Sequence, residues 1–296
     1  MKASLLTINP HSRDLGGISV RRALPNIQKR NISYFVFLDH LGPAEIGKER
    51  RLDVRPHPHI ALATLTYLFS GQILHRDSLG SVQLIEAGDV NWMIAGRGIV
   101  HSERTPKEKF ENTILHGLQL WVALPKSKEE MEPSFKHFKK ESLPNFKKDG
   151  AELKLILGEF LGKTSPVKLE CSLFYLDATL KKGEKMNLEF PKSNEAGLYM
   201  LAGSLEISDI GYPENPEVFS KQSLVVFSPN RRYTLIAKED CHFVLFGGEA
   251  LSEPRYMWWN FVSSSKARIE NAKVAWASQE MGKVPEETDF IPLPEK

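Results

Sequence analysis

Two prolines set two residues apart constrain the local backbone of this chain more firmly than any other feature. Pro56 and Pro58 sit in the run Arg55-Pro56-His57-Pro58-His59. A proline disfavours helix at the residue before it, so Arg55 and His57 are expected to be extended. Extended backbone alternates its side chains, which puts His57 and His59 on one side. The same rule applies further on, in Gly96-Arg97-Gly98-Ile99-Val100-His101-Ser102-Glu103, where His101 and Glu103 share a side. Two such pairs on neighbouring strands can converge on one point. Three imidazoles and one carboxylate suit a divalent transition metal, with positions left for water, substrate or dioxygen. Either pair alone reads as a surface loop or a strand end. Together, with strand-rich sequence between them, they read as a metal site.

The rest of the chain is consistent with an all-β fold. Ile18 to Leu24 and Ser33 to Leu38 read as strands, the second broken at Gly42-Pro43. Ala63 to Phe69, Gln72 to Arg76, Val82 to Ile85, Val90 to Ile94 and His116 to Leu124 then form a meander rich in β-branched and aromatic residues. Many short antiparallel strands argue a sandwich or barrel. Lys126 to Gly150 is charged and holds Pro133 and Pro144, the composition of a linker between domains. Strands resume after Gly150. Tyr67-Leu68-Phe69-Ser70-Gly71-Gln72-Ile73-Leu74 resembles Tyr199-Met200-Leu201-Ala202-Gly203-Ser204-Leu205-Glu206, which suggests two copies of one β domain, residues 1–135 and 136–296. Carried across without gaps, the four candidate ligand positions fall on Glu189, Pro191, Tyr233 and Leu235, an approximate mapping that holds no metal set. Beyond Gly150 there is a single histidine, His242, so one domain is read as active and the other as degenerate. A helix is expected to follow Tyr256–Phe261 and run to about Met281, capped by Ser264 or Ser265, with the proline-containing tail laid over the body.

Composition limits the partners. Lys+Arg 39 against Asp+Glu 37 gives a formal charge of +2, too balanced for a general attraction to nucleic acid or anionic membrane. Cys171 and Cys241 are too few for a disulfide framework and read as buried apolar residues. The N-terminus lacks the apolar run of a signal peptide, and a cytoplasmic protein is expected.

The residues from Arg55 to His59, Tyr67, Gly71, His75 to Gly80, Gly88 to Met93, Ala95 to Glu103 and Gly117 to Pro125 together resemble the pirin family of the cupin superfamily. That resemblance implies a bicupin: two cupin-type β-barrel or jelly-roll domains, here with a C-terminal helix. It also implies one metal in the N-terminal barrel, iron(II) first, with manganese, nickel, copper or zinc as alternatives, held by His57, His59, His101 and Glu103. Ordinary cupins take their carboxylate a few residues after the His-x-His pair, but Ala61, Ala63 and Thr64 offer none, so Glu103 has to supply it. Many pirins carry a basic residue and a glycine after the second histidine. This chain has Ile60 and Ala61, a departure expected to alter the rim of the pocket.

Several pirins are similar to quercetinases, and the resemblance implies a dioxygenase that opens quercetin-like flavonols with O2 and releases CO. In that reaction Glu103 is the candidate base for the flavonol's hydroxyl proton. Two other readings share the same ligand set: a redox-sensing regulatory protein of the transcriptional-cofactor type, and a metal-assisted isomerase or hydrolase. A monomer that binds no nucleic acid directly and no membrane is expected. His40, His75 and His116 are read as hydrogen-bonding within the strands, and Gln119 and Trp121 as orienting or packing residues outside the catalytic set.

Overall fold

The computed structural model describes residues 5–47, 50–106 and 113–295. Strands dominate it, and the sole α-helix among the described residues is Lys266–Ala277. No helix is long and apolar enough to cross a membrane among these residues.

The chain divides into two compact units, each a cupin-type double sheet. One comprises Ser12–Arg22, Phe37–Lys140 and the chain from Ser252 onward. Its larger sheet runs in the order Ser134–Phe138, Val90–Ile94, Leu62–Ser70, Thr113–Ala123, Phe35–Ile46, Ile18–Leu24 and His11–Leu15. Its smaller sheet runs Asp53–His59, Ile99–Arg104, Gln72–Asp77 and Val82–Glu86. Side chains from both sheets, among them Val54, Ile73 and Ile85 from the smaller and Leu41, Leu68 and Leu115 from the larger, form a common core. In the smaller sheet, alternation puts Val54 inward and Asp53 and Arg55 out, whereas in the larger sheet His40 and Tyr67, next to Leu41 and Leu68, are buried as well.

The other unit comprises the chain up to His11, Ala23–Val36 and Glu141–Leu251, and it repeats the plan. Lys185–Phe190, Arg231–Ala237, Ser204–Asp209 and Glu217–Ser220 form its smaller sheet in the order that the first unit uses. The hairpins noticed in the sequence are equivalent, and glycine is required at both turns. Gly71 and Gly203 have φ of 82° and 76°, and a Cβ would lie 2.9 Å from Ile114 O and 2.4 Å from Asp240 O.

Four expectations are corrected. The charged segment Lys126–Gly150 does contain the boundary between the units, at Lys140 and Glu141, but it is structured rather than a free linker. Ser134–Phe138 is the edge strand of the first unit's larger sheet, and Asn145–Lys148 pairs with Ala151–Phe160 in the second unit. Edge strands tolerate lysine, and a solvent-facing lysine such as Lys136 reads in sequence like a linker residue. Gly42-Pro43 does not end its strand, which continues to Ile46. The backbone there runs so close to Leu115 that a Cβ on Gly42 would sit 2.1 Å from the Leu115 carbonyl oxygen. Tyr256–Trp258 and Phe261–Ser263 form a two-stranded hairpin rather than the approach to the helix. Lastly, the helix and tail, expected in the second domain, pack in the first unit. Ile269, Ala272 and Trp276 bury against Ile60, Ala61, Val100 and Phe261, so the apolar helix face finds its partner beside the strands Asp53–His59 and Ile99–Arg104. Ser265 caps the helix, as expected, accepting from the Arg268 amide.

Candidate metal centre

The smaller sheet of the first unit carries the candidate ligands. Asp53–His59 and Ile99–Arg104 pair antiparallel with His101 opposite His57, and Gln72–Asp77 flanks the other edge with His75 opposite Glu103. The ladder slips between His101 and Glu103, where Glu103 pairs with Val54. Pro56 lies in that interval and has no amide hydrogen to give the ladder, so the bulge falls where a bond is missing anyway.

The donor atoms of His57, His59 and His101 lie within 4.8 Å of one another, and all three residues are buried. Glu103 comes within the same limit of His101, in a second group that also includes His75. Thr66 Oγ1 lies 3.1 Å from Glu103 Oε1 and 2.8 Å from Gln119 Oε1, holding the carboxylate from the neighbouring sheet. The rings are held as well. His57 Nδ1–H donates to the Arg55 carbonyl at 2.8 Å, and His59 Nδ1–H donates to the Asn260 carbonyl at 3.0 Å. Each bond leaves Nε2 as the bare nitrogen. Trp121 meets the His59 ring edge-on at 4.9 Å and stacks on Phe37 at 3.9 Å, so it walls one side of that ring.

Electrostatics favour the metal-binding protonation states. Burial pushes His57 down to about 4, with a smaller contribution from His75, against the opposing pull of the Arg55 carbonyl. His59 and His101 lie well below the ordinary imidazole range, first by burial and then through neighbouring imidazoles. All three are neutral at neutral pH, the form that binds metal. Burial raises Glu103, opposed by His75 and the Thr66 hydroxyl. His101 Nε2 is buried with no hydrogen-bond partner. Such an atom is costly unless something accepts its lone pair, and a divalent cation fits the donor set.

The remaining sequence candidates are distributed as follows. His40 and His116 face each other, Nε2 to Nε2 at 2.8 Å, and join neither donor group. His75 stands beside the site: its Nε2 is 3.0 Å from Asp77 Oδ2, its Nδ1 is 3.5 Å from His101 Nδ1, and its ring stacks on Phe135. Asn260 was not legible as a site residue, because a backbone carbonyl that arrives from a distant hairpin leaves no side-chain signal. Ile60 and Ala61 do not form a rim. Both are fully buried in the cluster with Phe261 and Trp276, and Ala61 takes φ of 56°, a conformation that glycine adopts more freely.

In the second unit the ungapped mapping is off by one on the first strand. Leu188 and Phe190, not Glu189 and Pro191, point inward, opposite Tyr233 and Arg231 in the ladder. A one-residue slip reverses faces. Leu188, Phe190, Tyr233 and Leu235 all belong to the apolar core, so hydrocarbon fills the interior that carries imidazoles in the first unit.

Both barrels resemble known proteins. The family model "Pirin" matches residues 17–122, and "Pirin C-terminal cupin domain" matches 175–282. A pirin-like protein of Caulobacter vibrioides is 42% identical, covering 98% of this chain and 99% of its own length. Human pirin is 30% identical, covering 92% and 90%. A crystal structure of quercetin 2,3-dioxygenase from Acinetobacter baumannii superposes with a TM-score of 0.89 at 34% identity, covering 99% of this chain and 95% of that one. Matches that run through both barrels and along nearly the whole of a full-length relative lead to one conclusion: the chain belongs to the pirin family.

Proposed function

We propose that this protein is a metal-dependent dioxygenase that cleaves quercetin-like flavonols with O2 and releases CO. His57, His59, His101 and Glu103 would hold one divalent cation, iron(II) in first place. The observation that carries the reading is the buried trio of neutral imidazoles beside one carboxylate, supported by the likeness to a quercetin 2,3-dioxygenase over nearly the whole chain. A cation held there would supply a Lewis acid, orienting the flavonol oxygens and making the 3-hydroxyl more acidic. Glu103 takes that proton. Burial raises its affinity for a proton, as a general base needs, and the Thr66 hydroxyl at 3.1 Å orients the carboxylate. Trp121, Phe37 and the buried sheet keep water from the ligand rings. The proposal includes a monomer acting in the cytoplasm without direct nucleic-acid contact.

The test is oxygen uptake and CO release with quercetin, using wild type and His101→Ala after elemental analysis of bound metal. Uptake with CO in the wild type alone is expected. A metal-loaded wild type that consumes no oxygen overturns the flavonol assignment and favours the regulatory reading. Turnover without oxygen favours the isomerase or hydrolase.

A further inference from the structure

His57 and His59 each give their Nδ1–H to a backbone carbonyl, which can only accept, and this fixes Nε2 as the bare nitrogen. His101 has no carbonyl in that position. Its Nδ1 faces another imidazole nitrogen, His75 Nδ1 at 3.5 Å, while its buried Nε2 has no partner. Two imidazole nitrogens in contact must divide the roles, one donating and one accepting. The division is set one residue further out.

Asp77 is fully buried, and its Oδ1 accepts from the amides of Leu79 at 2.9 Å and Ser81 at 3.0 Å. Those bonds fix the carboxylate, and Oδ2 is left 3.0 Å from His75 Nε2. A carboxylate accepts, so His75 carries its proton on Nε2 and presents a bare Nδ1. Phe135, stacked on the His75 ring at 4.2 Å and 12°, fixes the plane of that ring. We infer that Asp77 and His75 are positioning residues that fix the tautomer of His101: Asp77 accepts from His75 Nε2–H, His75 Nδ1 accepts from His101 Nδ1–H, and His101 Nε2 is left bare for the metal. His75 is thereby a partner of a ligand and not a ligand itself, although its donor atom lies within reach of His101 and Glu103. The inference rests on the ligand assignment proposed above.

The Asp77→Asn variant distinguishes this role from simple packing. Asparagine keeps its carbonyl oxygen on the two amides and turns its NH2 toward His75. His75 then moves its proton to Nδ1, His101 must accept there, and its own proton goes to Nε2, which blocks the metal. Partners of this kind change metal affinity by about 10–100-fold. The experiment is imidazole 15N NMR of the full-length, zinc-loaded protein, together with zinc affinity by chelator competition. In the wild type, zinc is expected on Nε2 of His57, His59 and His101, with His75 free of metal and protonated on Nε2. In Asp77→Asn, affinity is expected to fall about 10–100-fold, with the His75 proton on Nδ1. If zinc binds His57 and His59 through Nε2 but His101 through Nδ1, or if it keeps His57 and His59 and also binds His75, this inference fails and the site at His57 and His59 stands. If zinc leaves His57 and His59 untouched, the site assignment fails and takes the inference with it. The wild-type spectrum decides even if the variant does not fold. A folded variant with unchanged affinity and an unmoved His75 proton also overturns it.

Discussion

Trp276→Ala tests whether the C-terminal helix supports the metal strands. Trp276 is buried against Ile60, Ala61, Val100 and Phe261, and its Nε1–H donates to the Ile291 carbonyl at 3.0 Å. Removing a buried tryptophan side chain costs about 3–5 kcal/mol, and the lost hydrogen bond adds about 1 kcal/mol. The expected loss is therefore about 4–6 kcal/mol, against a whole-domain stability of about 5–15 kcal/mol. The metal-free unit would sit near its unfolding threshold. Because Asn260, which holds His59, lies in the hairpin that packs in the same cluster, metal affinity is expected to fall as well. Metal at a thousand times its dissociation constant returns about 4 kcal/mol, so saturation should restore most of the lost stability. Hydrogen exchange in Asp53–His59 and Ile99–Arg104, with and without zinc, measures both effects. A loss below about 1 kcal/mol in those strands, with unchanged zinc affinity, would refute the reasoning and make the helix an appendage.

Other predictions follow from the site and its flanks. Glu103→Gln keeps an oxygen for Thr66 and a neutral ligand for the metal but loses the base, so turnover should fall by about 10²-fold or more while bound metal changes little. A metal-loaded variant with full turnover would remove Glu103 from the base role. Acid should release the tail. Burial works against Glu287, but the bonds from Arg104 and Ser102 prevail and hold its carboxyl below the ordinary value of 4.5. A depressed carboxyl contributes stability that is complete above 4.5 and lost as pH falls through the lower folded value. Limited proteolysis near Glu287 should accelerate over that interval, and cleavage independent of pH would contradict the assignment.

The proposed ligand set was legible because it depends on local rules. Proline forces extension, and extension sets side-chain parity, so alternation alone places His57, His59, His101 and Glu103 in two pairs able to face one point. The paired hairpins were legible for a similar reason, since Gly71 and Gly203 each answer a local demand of the backbone. What sequence did not reveal depends on distant pairing. Phe135 lies in a segment whose lysines read as linker, yet it stacks on His75 from an edge strand. The helix shows an apolar face but not which barrel that face covers. Parity in Lys185–Phe190 was misplaced because a single-residue gap reverses it, and only the ladder to Arg231–Ala237 fixes the register. His75 and Asp77 were visible as residues beside a turn, but their relation to His101 exists only across the strand pair.

The most direct measurement is anomalous diffraction at the metal edge from crystals of the metal-loaded protein. The account predicts one peak per chain, within bonding distance of Nε2 of His57, His59 and His101 and of the Glu103 carboxylate. A peak in the second barrel, or one bound by His75 in place of His57 and His59, would contradict it.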